Sequence, residues 1–160
     1  MVEQEDIETG HRVLEPSAGT GSLLTAIDMR NYRWKDQPGE QGETVAVELN
    51  VKLASNLKNA WPLVKVKPCD FLDCNGDLGT FDRVVMNPPF ENATDIKHIM
   101  HAFGMLKPGG KLVALCANGP RQREKLQPLA SMWEELPANT FESQGTRVNV
   151  ALLVMEKGEE

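Results

Sequence analysis

Arg12-Val13-Leu14-Glu15-Pro16-Ser17-Ala18-Gly19-Thr20-Gly21 is a short apolar run that stops at Glu15-Pro16 and passes through small residues into a helix-compatible stretch. Glycine lacks a Cβ, so Gly19 and Gly21 allow a tight turn and let a ligand approach the backbone where the helix begins. A strand that feeds a helix through such a turn opens a βαβ unit. Units of this kind build parallel sheets covered by helices on both faces.

The same alternation continues outward from this segment. Valine- and leucine-rich runs predict strands at 12–15, 44–48, 64–67, 83–86, 111–117, 140–143 and 149–156, with helices at 22–30, 51–60, 94–106 and 121–135. In the third helix Ile96, Ile99, Met100, Phe103 and Leu106 make one apolar stripe, Asn92 is in position to cap the start, and Pro108-Gly109-Gly110 to stop it. Only a short connection with a Gln144-Gly145-Thr146 turn joins the last two strands, which predicts an antiparallel hairpin near the sheet's edge. The expected architecture is α/β, a doubly wound, mostly parallel seven-stranded sheet with a C-terminal antiparallel hairpin.

Composition bounds the function. At 160 residues and 41% hydrophobic, the chain suits a single domain spanning 1–160, with no room for a separate substrate-reading domain. No run reaches the about 18 apolar residues of a membrane span, and the N-terminus is acidic where a secretory signal would be basic. A cytoplasmic protein without membrane association is expected. Cys69, Cys74 and Cys116 have no CxxC or Cys/His spacing, so they are expected to be reduced structural thiols, with no metal site. The net charge of -6 provides no broad basic footprint for nucleic acid, and the Arg121, Arg123 and Lys125 cluster reads as a solvated helix face in preference to a phosphate contact.

Ligands of open α/β sheets bind beyond the carboxyl ends of the strands. Glu48, after the second strand, can accept from the two hydroxyls of a ribose. Asp70, after the third, can accept from an adenine amine, and Phe71 can cover the ring. Each alone also fits an ordinary strand end or turn cap; the joint reading comes from their order, 33 residues from Glu15 to Glu48 and 22 more to Asp70. A dinucleotide fingerprint G-x-G-x-x-G is excluded because Leu24 stands at the third glycine position.

After the fourth strand comes Asn87-Pro88-Pro89-Phe90, the most specific feature of the chain. Two prolines remove two backbone donors and hold the chain extended, so the Asn87 side chain and the Pro88 carbonyl become fixed acceptors. A planar NH2 group is a poor nucleophile because its lone pair is delocalised. Two acceptors, each taking one hydrogen, favour a pyramidal nitrogen whose lone pair points at an electrophile in line with it. Phe90 offers a flat surface for a flipped base or planar amide. The scheme needs no strong base.

Other residues read as structural. His98 and His101 fall opposite the apolar stripe and are expected to face solvent rather than bind metal. Trp61 and Trp133 end helical apolar patterns and are expected in the core. Trp34, in the loop before the second strand, is the one candidate base platform. Ser17 lacks the G-x-S-x-G elbow of a nucleophile.

These residues together resemble the class I S-adenosylmethionine-dependent methyltransferases, and among them the amino-methyltransferases with a [D/N/S]-P-P-[F/Y/W] motif, including adenine N6-methyltransferases of phages and mobile elements. The likeness runs from Arg12 to Glu156. It implies that Glu15, Pro16, Ser17, Ala18, Gly19, Thr20 and Gly21 line the methionine part of S-adenosyl-L-methionine, that Glu48 holds the ribose and Asp70 and Phe71 the adenine, and that Asn87, Pro88, Pro89 and Phe90 hold the target nitrogen. It further implies a nucleic-acid substrate, DNA or RNA, reached alone or through a partner protein. The same loop occurs in guanine-N2 and glutamine-N5 methyltransferases, and a non-catalytic cofactor-binding subunit is the alternative from another class. The family's usual helix before the first strand is reduced here to residues 1–7, so a truncated or partner-dependent enzyme is expected.

Overall fold

The computed structural model describes residues 6–8, 10–31, 42–138 and 149–159. Seven strands and four α-helices alternate along these segments: β1 (Val13–Glu15), α1 (Ser22–Asn31), β2 (Thr44–Val47), α2 (Val51–Ala60), β3 (Lys65–Lys67), β4 (Phe81–Met86), α3 (Thr94–Gly104), β5 (Leu106–Ala117), α4 (Pro120–Lys125), β6 (Met132–Glu135) and β7 (Val150–Glu156). They form one sheet in the order β3-β2-β1-β4-β5-β7-β6. The pairs from β3 to β5 are parallel, whereas β7 runs antiparallel to both β5 and β6. The chain starts in the middle of the sheet, winds out to β3 and returns beside β1 as β4, so the order reverses between β1 and β4. A crevice for a ligand opens at such a switch point.

Strand alternation sorts the side chains onto two faces. Leu14, Val45, Val47, Val84 and Met86 pack with Ile96, Ile99 and Ala102 of α3 and with Leu126, while Val13, Ala46 and Val85 pack with Leu24 and Ile27 of α1 and Leu57 of α2. The register continues this second face across the sheet, because Val85 lies opposite Val113, and Val113 belongs to a third apolar cluster with Leu115, Val150, Leu152 and Val154. The central strands are buried on both sides, which explains their unbroken runs of Val and Leu.

The structure corrects four local expectations. The helix predicted at 121–135 ends at Lys125, a single 3-10 turn follows at Gln127–Leu129, and Met132–Glu135 is the edge strand β6. Pro128 is the reason: it lacks the N–H for a helical ladder and its ring obstructs the preceding turn. The antiparallel partner of β7 at the edge is therefore β6, and the stretch 140–146 lies outside the described residues. Asn92 does not cap α3. It and Ala93 adopt left-handed conformations, φ 54° and 57°, in the turn before the helix. Nor does Pro108-Gly109-Gly110 stop α3, which ends at Gly104; the three residues make an outward irregularity in β5, where the pairing steps from Phe81 opposite Leu106 to Arg83 opposite Lys111. Among the described residues no helix is long and apolar enough to cross a membrane.

Candidate cofactor cleft and acceptor loop

The loop after β1 folds back onto the end of β2 through its own backbone. Ala18 N–H donates to Val47 O at 3.0 Å, Gly21 N–H to Ala18 O at 2.9 Å, and Gly19 N–H to Glu48 Oε2 at 2.6 Å. Two glycines are required for separate reasons. Gly21 has φ +93°, and a Cβ there would lie 2.6 Å from the Trp61 ring; Gly19 has φ +55°, but a Cβ there would meet nothing within 4 Å. Gly21 permits packing, and Gly19 leaves open space over the backbone.

A cleft of about 330 Å³ opens at the carboxyl ends of the strands. Pro16 and Ser17 from the first loop, Glu48 after β2, Asp70 and Phe71 after β3 and Pro89 after β4 all line it, together with Leu49, Cys69, Leu72, Thr94 and His98. The structure thus brings together six of the residues singled out from sequence. It places the others around the cleft rather than in its wall. Glu15 is buried beneath it, Ala18 and Gly21 are buried, Gly19 is half-buried and Thr20 is exposed. Asn87 is exposed, Pro88 is buried and Phe90 is half-buried against the apolar cluster of β5 and β7.

Several of these carboxylates already hold the loops in shape. Glu48 Oε1 accepts from Asn50 N–H at 3.0 Å in addition to the Gly19 bond. Asp70 Oδ1 accepts from Leu72 N–H at 3.0 Å and so caps the 3-10 turn Phe71–Asp73, while Phe71 itself is buried. Each oxygen carries a second lone pair, so these bonds leave acceptor capacity toward the cleft.

Glu15 is the electrostatic anomaly of the site. It is 1% exposed and accepts Ser17 N–H at 2.9 Å. Burial raises its pKa to about 8, the Ser17 bond offsets part of that rise, and the Glu48 charge adds to it. A buried carboxyl held neutral beside an open glycine loop suits a cationic group, whose charge would restore ionisation.

Sequence reasoning missed the group that ties the segment after Asn87–Phe90 to the sheet. Asp95, fully buried in the first turn of α3, accepts from Ile96 N–H at 3.0 Å, Ala117 N–H at 2.9 Å and the Gln122 amide at 3.1 and 3.2 Å. One carboxylate thereby joins the segment after Asn87–Phe90 to the end of β5 and to α4. An acid in the first turn of an apolar helix was the available signal, but it usually means a favourable dipole contact at the surface.

The histidines also depart from expectation. His98 is buried and His101 half-buried, because the 3-10 turn after β3 packs onto that side of α3: the Phe71 ring lies 5.8 Å from His98 and 4.9 Å from His101. His101 Nε2 pairs with Cys74 O at 2.5 Å, whereas His98 Nδ1 is buried without a partner among the described residues. Trp133 packs at the edge of the core from a strand, not a helix, with Nε1 unpartnered among the described residues, while Trp61 packs on the α1/α2 core and Trp34 lies outside them. Cys69, Cys74 and Cys116 are free thiols; burial pushes Cys74 and Cys116 up to about 12, which keeps both protonated and unreactive. Arg121, Arg123 and Lys125 are exposed on α4.

No family model matches the chain. It is 22% identical over 170 residues to the EEF1A lysine methyltransferase 2 of Danio rerio, covering 98% of this chain and 70% of that protein. Among solved structures it is similar to TrmN from Thermus thermophilus, with TM-score 0.74, 18% identity and 98% of this chain covered, although the match spans 46% of TrmN. An RNA methyltransferase from Salinibacter ruber in complex with S-adenosyl-L-homocysteine aligns over 99% of this chain and 88% of its own, with TM-score 0.65 and 13% identity. The [4+2]-cyclase SpnF aligns as well as TrmN does, with TM-score 0.74, 14% identity, and 99% and 78% of the two chains covered. At these identities the likeness carries architecture. The chain has the fold of the class I S-adenosylmethionine-dependent methyltransferases.

Proposed function

We propose that the protein is an S-adenosylmethionine-dependent methyltransferase that methylates an exocyclic amino nitrogen, adenine N6 in nucleic acid, on the Asn87-Pro88-Pro89-Phe90 loop. One observation carries the reading. Pro89 of that loop lines the same cleft as Pro16, Ser17, Glu48, Asp70 and Phe71, so a donor held by the strand ends and an acceptor held by the loop would meet in one space. A fold shared with a cyclase does not by itself select methyl transfer.

The residues fit the cofactor. Gly19 leaves room for close approach, Glu15 is a buried carboxyl that a cationic ligand would ionise, and Glu48 and Asp70 retain acceptor capacity for ribose hydroxyls and an adenine amine. When bound, S-adenosylmethionine supplies a methyl carbon made electrophilic by its positive sulfur. Asn87 Oδ1 and the Pro88 carbonyl take the two hydrogens of the acceptor nitrogen and turn its lone pair toward the cleft. Phe90, anchored by its contact with the β5/β7 cluster, stacks the acceptor ring. The nitrogen sheds its proton after bonding to carbon, and exposed Asn87 lets that proton pass to water.

The whole chain, 1–160, acts as one cytoplasmic catalytic domain. The exposed Arg121, Arg123 and Lys125 on α4 follow directly from the end of β5, which supports phosphate contact beside the site. A partner protein supplies further recognition that the acidic net charge of -6 does not. Incubation with methyl-labelled cofactor and DNA, RNA or protein acceptors tests the reading. Label on adenine that disappears in Asn87→Ala, with cofactor binding retained, is expected. Label on lysine, glutamine or guanine instead, or undiminished transfer by Asn87→Ala, overturns the proposed acceptor or its mechanism.

A further inference from the structure

The two histidines of α3 stand in different circumstances although they are three residues apart. His101 is tied to Cys74 O. His98 is 8% exposed, lines the cleft, and has a fully buried Nδ1 that no described group engages. A nitrogen so enclosed is out of reach of a ligand and has no acceptor for a proton among the described residues. The neutral ring therefore leaves Nδ1 as its bare lone pair and carries its proton on Nε2, the nitrogen left for the cleft that the residue lines. Burial lowers the His98 pKa, with His101 acting in the same direction and Asp70 and Asp95 against it. The neutral ring carries one donor and one acceptor.

The surroundings decide which is needed. At this end of the cleft Glu48 and Asp70 only accept, and the Thr94 hydroxyl is committed to Glu91 O at 2.6 Å. The ring nitrogens of adenine also only accept, and therefore need a donor. We propose that His98 is a further cofactor-binding residue, donating its Nε2–H to a ring nitrogen of the adenine from whose amino group Asp70 accepts. The proposal rests on the methyltransferase reading above and deepens it. One donor from α3 and one acceptor from the turn after β3 would distinguish adenine from hypoxanthine or guanine, whose corresponding edges present a carbonyl in place of the amine.

Calorimetry tests the assignment with S-adenosyl-L-homocysteine and its 1-deaza, 3-deaza and 7-deaza analogues, each of which lacks one ring nitrogen. For the wild-type protein one analogue is expected to bind roughly 5–10-fold more weakly than the parent, as for loss of one neutral hydrogen bond. His98→Leu should bind the parent more weakly by the same factor and lose its preference over that analogue. His98→Asn, which keeps an N–H, should recover part of it. Equal binding of all four ligands by the wild type, or an unchanged preference in His98→Leu, overturns the proposal. Failure of the wild type to bind S-adenosyl-L-homocysteine at all overturns instead the reading on which it rests, so the two failures are distinguishable. Thermal melts of both variants separate lost contact from lost fold: a His98→Leu protein that does not fold leaves the decision with the wild-type series and His98→Asn.

Discussion

Glu15→Gln isolates the anomaly at the base of the cleft. The carboxyl is 1% exposed and ionises near 8 in the folded protein, against an ordinary value of 4.5. A raised folded pKa means that the native state keeps a proton the unfolded chain gives up. Stability attributable to this group is thus fully present below 4.5, declines as the pH climbs, and reaches its floor above about 8. At pH 7 the ionised unfolded chain is favoured by about 3 kcal/mol, taking about 1.4 kcal/mol for each pH unit above 4.5. That is a sizeable share of the 5–15 kcal/mol, roughly, that holds a domain folded. Glutamine is uncharged at every pH and its carbonyl can still accept Ser17 N–H, so Glu15→Gln should be more stable than wild type by about 3 kcal/mol at pH 7 and equal to it in acid. Urea unfolding at half-unit steps from pH 5 to 8 measures this, and parallel curves for the two proteins would refute the buried-charge reasoning. The functional counterpart has the opposite sign. A cationic cofactor beside Glu15 should drive off its proton, so calorimetry at pH 7 in buffers of different ionisation enthalpy should show release of close to one proton per binding event. Glu15→Gln should release none and bind roughly 10–100-fold more weakly, having lost a charge-assisted contact.

Asp95→Ala strips three described donors of their shared acceptor, and is expected to cost about 3 kcal/mol or more in urea unfolding, with Asp95→Asn recovering part of that. Gly21→Ala should lose about 2 kcal/mol or more, since its Cβ would fall 2.6 Å from Trp61 at a positive φ, while Gly19→Ala should lose only about 1 kcal/mol of stability and show its larger effect on cofactor affinity. Equal losses of stability at the two glycines would contradict the division of labour between them. Phe90→Ala should raise KM for the acceptor several-fold and leave the cofactor Kd unchanged, read by steady-state kinetics beside calorimetry.

Much of the architecture follows from local sequence. Val-Leu runs such as Val13-Leu14 and Val84-Val85-Met86, punctuated by glycine and proline, identified the parallel strands because these strands are buried on both faces. Residues placed directly after them, including Pro16, Ser17, Glu48, Asp70 and Pro89, were legible as candidates because any open α/β sheet brings its strand ends to one crevice. Local pattern failed where a distant element decides the outcome. Met132–Glu135 is a strand because β7 supplies the hydrogen-bonding edge beside it, although Pro128 had already signalled that a helix could not continue. His98 is buried because the turn after β3 covers that side of α3, a contact that helical periodicity cannot foresee. Asp95 has its role only when Ala117 and Gln122, remote in the chain, are folded against it. Sequence by itself determined which atoms the strand ends could present. Tertiary structure decided which of them are desolvated, and desolvation turns Glu15 from an ordinary carboxylate into an acid whose pKa is pushed up to about 8.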